Sequence, residues 1–360
     1  MINTFFTPGP SQNYKTLKKH VMNALNENVA SISHRGKKFQ DIFLETTNQL
    51  RELLDIPKEY HIFFLSSATE AMEKIIENCV EKHSYHFING AFAKKFFDIA
   101  VELKKEPHKY EVDLGTSFYF NNIKIPKNVE LICFTQNETS TGTMIEMKNI
   151  YQIKKQYPEK LIALDIVSSA PHVDVNYKKI DCTFFSVQKC FGLPAGLGVL
   201  IVSPRAIKKS DYLQKNGINI GSYHNFNNLL KYANKNQTVE TPNVLLIYLL
   251  GKITADIKKI GIKKIREQTE EKAELLYSFF EQNSAFELFV KNKKDRSKTI
   301  IVVKTKTNSK SVIKKMEKQN LLIGKGYGQL ENKYIRIANF PTHSLNDVKK
   351  LLKELNKKDN

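Results

Sequence analysis

An acid and a lysine 24 residues apart carry the clearest chemical signal in the chain. Asp165 closes the apolar run Ala163-Leu164-Asp165-Ile166, and Lys189 follows the next strand-like run, within Ser186-Val187-Gln188-Lys189-Cys190. Both would lie at the carboxyl edge of an open α/β sheet, where such sheets bind ligands. A lysine there can form a Schiff base with an aldehyde, and an acid can hold a ring nitrogen protonated. By itself the pair also reads as a capping aspartate and one surface lysine among fifty. Three further stretches belong beside it. Ser66-Ser67-Ala68-Thr69 follows the apolar run His61–Leu65 and would present free N–H groups and hydroxyls at a helix start, which suits a phosphate as well as an ordinary cap. Asn137-Glu138-Thr139 forms a polar loop just beyond Phe134. Glu240-Thr241-Pro242-Asn243 stands before a long helical pattern, with proline at the expected helix start.

The elements that must position these residues follow from apolar periodicity. His61–Leu65 and Tyr85–Ile88 read as short strands, each followed by a helix, and strand patterns recur at Val129–Phe134, Leu161–Ile166, Thr183–Ser186 and Gly198–Val202. A helix around Ile150–Tyr157 is ended by Pro158. This alternation predicts a mostly parallel sheet covered on both faces. From about Leu245 the pattern turns helical, with Leu250, Ile253, Ile257 and Ile260 on one stripe and then Leu276, Phe279 and Phe280. A strand at Thr299–Val303, a charged helix near Ser311–Gln319, a strand at Tyr334–Ile337 and a helix from Ser344 complete a smaller α+β unit. Residues 16–250 are therefore expected to form a large α/β domain. Residues 1–15 and 251–360 are expected to form a small one, joined to the first through the long helix.

Composition excludes several classes. No apolar run among the 360 residues approaches the ~20 needed to span a bilayer, and Met1 to Pro8 shows no basic segment followed by an apolar one. A cytoplasmic enzyme with no membrane partner is expected. Cys79, Cys133, Cys182 and Cys190 lack C-x-x-C spacing and paired histidines, so free thiols and no metal are expected. The net charge of +19 comes from 56 basic residues, of which only Arg35, Arg51, Arg205, Arg266, Arg296 and Arg336 are arginine. Nucleic-acid readers concentrate cations on one face and favour the forked guanidinium, so scattered lysine reads as compositional bias and no nucleic-acid partner is expected. A basic polyanion-binding protein on the same fold is the non-enzymatic alternative.

Taken in order, the phosphate-type loop, Phe92 in Gly90-Ala91-Phe92, Asn-Glu-Thr, Asp-x-x-Ser-Ser, Gln-Lys, Thr-Pro and Arg336 resemble the class V aminotransferases, a branch of the fold-type I pyridoxal-phosphate enzymes. The resemblance runs from Phe6-Thr7-Pro8-Gly9-Pro10 to Arg336. It implies a seven-stranded-type sheet, a homodimer with shared active sites, and pyridoxal 5'-phosphate as cofactor. Lys189 would carry the cofactor and Asp165 would pair with its ring nitrogen. Phe92 would stack on the ring, where related enzymes have tryptophan, and Thr139 would lie beside its 3'-oxygen. Ala68, Thr69 and Gln188 would hold the phosphate, with Thr241 reaching in from the second subunit. Arg336 would clamp the substrate carboxylate. The segment Ser33-His34-Arg35-x-x-x-Phe39 resembles the one with which phosphoserine aminotransferases bind the substrate phosphate, again across the dimer. Phosphoserine with 2-oxoglutarate is thus the expected substrate pair. Thr7-Pro8-Gly9-Pro10 and Asp165-x-x-Ser168-Ser169 look closer to the alanine–glyoxylate and serine–pyruvate branch, which is the alternative. Glu240 departs from the asparagine usual at its position and is expected to point away from the phosphate.

Overall fold

The computed structural model describes residues 3–357, so Met1 and Ile2 of the N-terminal segment lie outside the described residues. The chain opens with β1 (Thr4–Phe6), α1 (Leu17–Asn26) and α2 (Lys37–Leu54). Strands and helices then alternate: β2 (His61–Leu65), α3 (Ala68–Cys79), β3 (Ser84–Ile88), α4 (Ala91–Glu102), β4 (His108–Glu111) and β5 (Leu131–Thr135). A small hairpin, β6 (Asn137–Glu138) and β7 (Thr143–Met144), precedes α5 (Met147–Gln156), β8 (Leu161–Asp165), β9 (Cys182–Ser186) and β10 (Gly198–Val202). Four helices follow: α6 (Pro204–Lys215), α7 (Phe226–Ala233), α8 (Val244–Ile260) and α9 (Ile262–Gln282). The chain ends with β11 (Phe286–Leu288), β12 (Ile300–Thr305), α10 (Ser309–Lys318), β13 (Leu321–Lys325), β14 (Tyr334–Ala338) and α11 (Leu345–Asn356).

The large sheet has seven strands in the order β2-β10-β9-β8-β5-β3-β4. All its pairings are parallel except those of β10, which runs antiparallel to both neighbours. Side chains of successive strand residues point to opposite faces, and both faces are buried. Ile62, Phe64, Ile132, Phe134, Ile162, Leu164, Phe185, Val199 and Ile201 pack into one core. Phe63, Leu65, Leu131, Cys133, Ala163, Phe184, Leu200 and Val202 pack into the other, under α3 and α4. That two-sided burial explains why these strands read as unbroken apolar runs. The four cysteines are free and buried.

The second sheet has five strands in the order β1-β13-β14-β12-β11, with its own core around Phe6, Leu276, Phe280, Ile301, Ile323, Ile335 and Leu351. Thr4 pairs with Leu321, so the first residues of the chain join the C-terminal sheet. The single long helix expected after Leu245 is two helices, broken at Gly261 with φ +93°. Glycine takes that conformation without the Cβ clash other residues suffer. The apolar stripe continues across the break, which hides it from periodicity. The expected boundary at residue 250 falls inside α8. No helix among the described residues is long and apolar enough to cross a membrane.

Candidate active site

Asp165 is the last residue of β8, and Lys189 follows β9 by three residues. Because β8 and β9 are parallel neighbours, with Asp165 level with Phe184, both side chains emerge at the same sheet edge. They line one cavity of about 230 Å³ together with Ser67, Ala68, Thr69, Phe92, Thr139, Gln188, Tyr327 and Arg336. Asp165 Oδ1 accepts the Val167 N–H at 2.8 Å. Burial, opposed by that bond and by the positive charge of Lys189, moves the Asp165 carboxyl well above the usual carboxylate range. Burial likewise moves the Lys189 ammonium down, against the opposing pull of Asp165. A buried lysine shifted this way reaches its nucleophilic neutral form more readily than an exposed one. Its aliphatic stem rests against Gly9, where an added Cβ would lie 3.1 Å from Lys189 Cε.

The opposite wall is the start of α3. Ser67 is its cap and accepts the Glu70 N–H, while the amides of Ala68 and Thr69 belong to the first helical turn, which has no intrahelical acceptors to offer them. Gly198 on β10 lets this loop lie against the sheet, since a Cβ there would stand 2.5 Å from the Ser67 carbonyl carbon. Gln188 contributes a buried Oε1 with no partner within the protein.

Thr139 and Phe92 are set by a residue whose role the sequence did not disclose. Glu138 is fully buried, and its carboxylate accepts from Phe92 N at 3.1 Å, Ala93 N at 2.9 Å, Ser140 N at 2.9 Å and Ser140 Oγ at 2.6 Å. It thereby caps α4 and fixes Phe92 in the first turn, where a negative charge also suits the helix dipole. Gly90 is required for this approach: a Cβ there would meet Glu138 Cγ at 2.3 Å. Replacing Glu138 with alanine leaves buried N–H groups unpaired and is expected to cost about 3 kcal/mol or more of stability, read from the urea midpoint. An unchanged midpoint would remove this account of Phe92. Asn137 links the same loop to both sheets, donating to Ser168 Oγ at 2.8 Å and to Thr299 Oγ1 at 3.1 Å.

Thr139 faces two of the chemical groups at once. Its Oγ1 accepts from Lys189 Nζ at 3.0 Å, and its carbonyl accepts from Arg336 Nη1 at 3.3 Å. Arg336 extends from β14 of the second sheet, with Nε donating to Lys325 O at 2.8 Å; burial lowers its guanidinium to about 10, so it stays charged at neutral pH. Tyr327, absent from the sequence reading, stands between Arg336 (guanidinium 5.3 Å from the ring centroid) and Phe92 (centroids 5.4 Å apart). The signal for it was an aromatic residue between two glycines, Gly326-Tyr327-Gly328, with φ +54° at Gly328.

His34, Arg35 and Thr241 do not line this cavity. They lie outside it near the surface: Arg35 donates to Gln237 Oε1, Thr238 O and Val239 O, with its guanidinium 4.6 Å from the Tyr232 ring centroid. Thr241 follows that segment and is exposed. The chain thus brings Ala68, Thr69, Phe92, Thr139, Asp165, Gln188, Lys189 and Arg336 together and leaves the other three outside the cavity.

The cavity fits pyridoxal phosphate in its donor set. It offers amides and a hydroxyl at a helix start, the side-chain amide of Gln188, whose NH2 can donate to a phosphate, a carboxylate, an amine and an aromatic face. The similarity of the chain to known proteins agrees. A family model described as aminotransferase class-V matches residues 4–330. The chain is 27% identical, over 97% of each chain, to the phosphoserine aminotransferase of Lactococcus lactis subsp. lactis. It is 45% identical to a solved phosphoserine aminotransferase from Cytophaga hutchinsonii, with a TM-score of 0.96 and 98% of each chain covered. An alanine–glyoxylate aminotransferase from Nostoc shares the fold at 21% identity, with a TM-score of 0.84 over 99% of this chain and 94% of that one. With its catalytic-type lysine and acid at one sheet edge and the family pattern over most of its length, this chain belongs to the class V aminotransferases and is a transaminase that works with pyridoxal phosphate.

Proposed function

We propose that the enzyme exchanges the amino group between O-phospho-L-serine and 2-oxoglutarate, giving 3-phosphohydroxypyruvate and L-glutamate, as a cytoplasmic homodimer. The observation that carries the reading is Thr139, which holds the Lys189 amine on its hydroxyl and the Arg336 guanidinium on its carbonyl. An α-amino acid has its amine and carboxylate one carbon apart, so a site that fixes an amine-handling lysine and a carboxylate clamp on one residue matches that substrate class. The 45% identity to a phosphoserine aminotransferase supports the substrate. We also read the two sheets as two domains, with the site at their junction.

Pyridoxal phosphate, when bound, supplies the carbonyl that takes up the amino group and the ring that accepts the electrons released at Cα. The protein's part is to place and move protons and to exclude water. Asp165 would accept a hydrogen bond from the ring N–H and so favour its protonated form, and the Val167 bond fixes the carboxylate orientation. Phe92, in the cavity wall, would cover one face of the bound ring and keep water off it. The Ala68 and Thr69 amides, the Thr69 hydroxyl and the Gln188 NH2 would hold the phosphate oxygens. Lys189 Nζ, steered by its bond to Thr139 Oγ1, would take the proton from the substrate Cα and hold it for return to the product side of the exchange. Arg336 pairs with the α-carboxylate through a forked contact. His34 and Arg35 of one subunit reach the substrate phosphate in the other, and Thr241 does the same for the cofactor phosphate.

The test is a half-reaction on the loaded enzyme. O-phospho-L-serine, L-serine, L-alanine and L-glutamate are added singly and the loss of the yellow cofactor absorbance is followed. Phosphoserine and glutamate should bleach it at low concentration, and serine and alanine should not. Bleaching led by serine or alanine would replace the substrate assignment with the alanine–glyoxylate reading while leaving the Lys189 chemistry in place.

A further inference from the structure

We propose that His224 is a positioning residue that pins residues 238–241, the segment ending in Thr241, against the phosphate-facing start of α3, so that capture of the cofactor phosphate depends on it. The inference rests on the proposed phosphate roles of Ala68, Thr69 and Thr241. His224 is buried, 3% exposed, and lies between two carboxylates. Its Nδ1 is 2.5 Å from Glu70 Oε1, and its Nε2 is 2.5 Å from Glu240 Oε2. A neutral imidazole carries one N–H and cannot donate to both, whereas the imidazolium donates from both nitrogens.

Each carboxylate is tied to a different half of the phosphate machinery. Glu70 Oε2 accepts from Ser66 N at 2.7 Å and Ser66 Oγ at 2.6 Å, and Glu70 N donates to Ser67 Oγ at 3.1 Å, so this side chain is locked to the loop that carries Ala68 and Thr69. Glu240 precedes Thr241, and its carbonyl accepts from Thr238 Oγ1 at 2.8 Å. Arg35 grips the same segment through the Thr238 and Val239 carbonyls, at 2.6 and 2.8 Å. The imidazolium is thus the bridge that lets an acidic residue stand where a family asparagine would be, beside a phosphate donor. Without it, the Glu240 and Glu70 carboxylates would face each other with nothing to offset their charge, and the segment would lose its tie to the start of α3.

The groups around the bridge give it a pH window. Glu70 from α3 and Glu240 face the imidazole; Glu73 and Lys74 of α3 act on the neighbouring Tyr223, whose ring is tilted 30° to that of His224 at 4.1 Å between centroids, and His34 lies near Glu240. Burial opposes the His224 charge, but the bonds and charges of Glu240 and Glu70 outweigh it and raise the imidazolium to about 9. Burial also opposes the Glu70 charge, and the bonds from His224 and Ser66 outweigh it, lowering the carboxyl to about 2. A raised histidine stabilises fully below its ordinary 6.5 and loses that contribution as pH climbs through about 9. The lowered Glu70 contributes above its ordinary 4.5 and loses its share as pH falls toward about 2.

The experiment compares pyridoxal phosphate with pyridoxal, which lacks the phosphate, as ligands of cofactor-free wild type, H224Q and E240Q. Binding is read by fluorescence titration at neutral pH. The preference of wild type for the phosphorylated form should fall about tenfold in H224Q and several-fold in E240Q, with pyridoxal affinity unchanged, as expected for loss of charge-assisted bonds. A role confined to general stability would weaken both ligands alike. An equal loss for both, or an unchanged preference in E240Q, overturns the proposal; E240Q decides alone if H224Q does not fold. A wild type with no preference for the phosphorylated form would overturn the phosphate cradle itself and the inference with it. No amino-acid substrate enters the measurement, so an error in the substrate assignment leaves its result intact.

Discussion

Lys189→Ala is expected to lower turnover by about 10⁴-fold, because on the proposed assignment one substitution removes both the nucleophilic amine and the group that moves the Cα proton. The side chain is buried, and Thr139 and Gly9 hold it without help from any surface element, so the variant should fold and still bind pyridoxal phosphate through the phosphate cradle. The checks are single-turnover kinetics with phosphoserine and equilibrium binding of the cofactor. Bound cofactor with the wild-type visible absorbance replaced by that of the free aldehyde is the expected spectrum. Partial recovery of the proton-transfer step by an added small amine would show that the lost group is the amine itself. Turnover within tenfold of wild type would sink the assignment of Lys189.

Asp165→Asn is expected to move activity and stability in opposite directions. Asparagine keeps the shape and can still accept the Val167 N–H at Oδ1, but it cannot hold the ring nitrogen protonated. Removing a preorganised charge at the atom where charge develops costs about 10²–10³-fold in turnover. The stability effect has the other sign. Burial raises the Asp165 carboxyl, so in the cofactor-free fold the ionised form is disfavoured relative to the unfolded chain. That penalty is absent below the ordinary 3.8 and grows as pH rises toward the raised folded value. Cofactor-free Asp165→Asn should therefore melt at or above the wild-type temperature at pH 8, and the gain should vanish at low pH. A lower melting temperature at pH 8 would mean that the pairing with Lys189 outweighs burial, and unchanged turnover would remove Asp165 from the ring nitrogen. Such a pair of opposite shifts is the usual trade of stability for function at a buried charge.

Much of the site is written locally. The strands that place Asp165 and Lys189 are buried on both faces, so they appear as apolar runs, and their polar ends mark the carboxyl edge. The start of α3 announces itself by Ser67, whose hydroxyl caps the helix in the structure as its position suggests. Local patterns of this kind depend on neighbours within a few residues, and one chain is enough to read them. The split at Gly261 escaped because periodicity registers spacing, not the φ angle that breaks the helix. The short strands β1, β11 and β13 escaped for a related reason: a few residues can pair only where distant chain already waits, as Thr4 does on Leu321.

The identities of Lys189, Asp165 and Arg336, and the order of motifs that makes this chain a class V aminotransferase, were determined by the sequence alone. What only the tertiary structure decided is how they are held. Glu138 was one acid in a polar loop until folding buried it under the first turn of α4, 45 residues or more from the amides it caps. Tyr327 became a wall of the cavity because the second sheet carries it against Phe92. Glu240 acquired a partner because His224 and Glu70, the latter 154 residues from that histidine, meet around it. The physical reason is common to all three: a buried charge or ring must be matched by groups that only chain folding brings within bonding distance, and sequence spacing carries no record of which groups those will be.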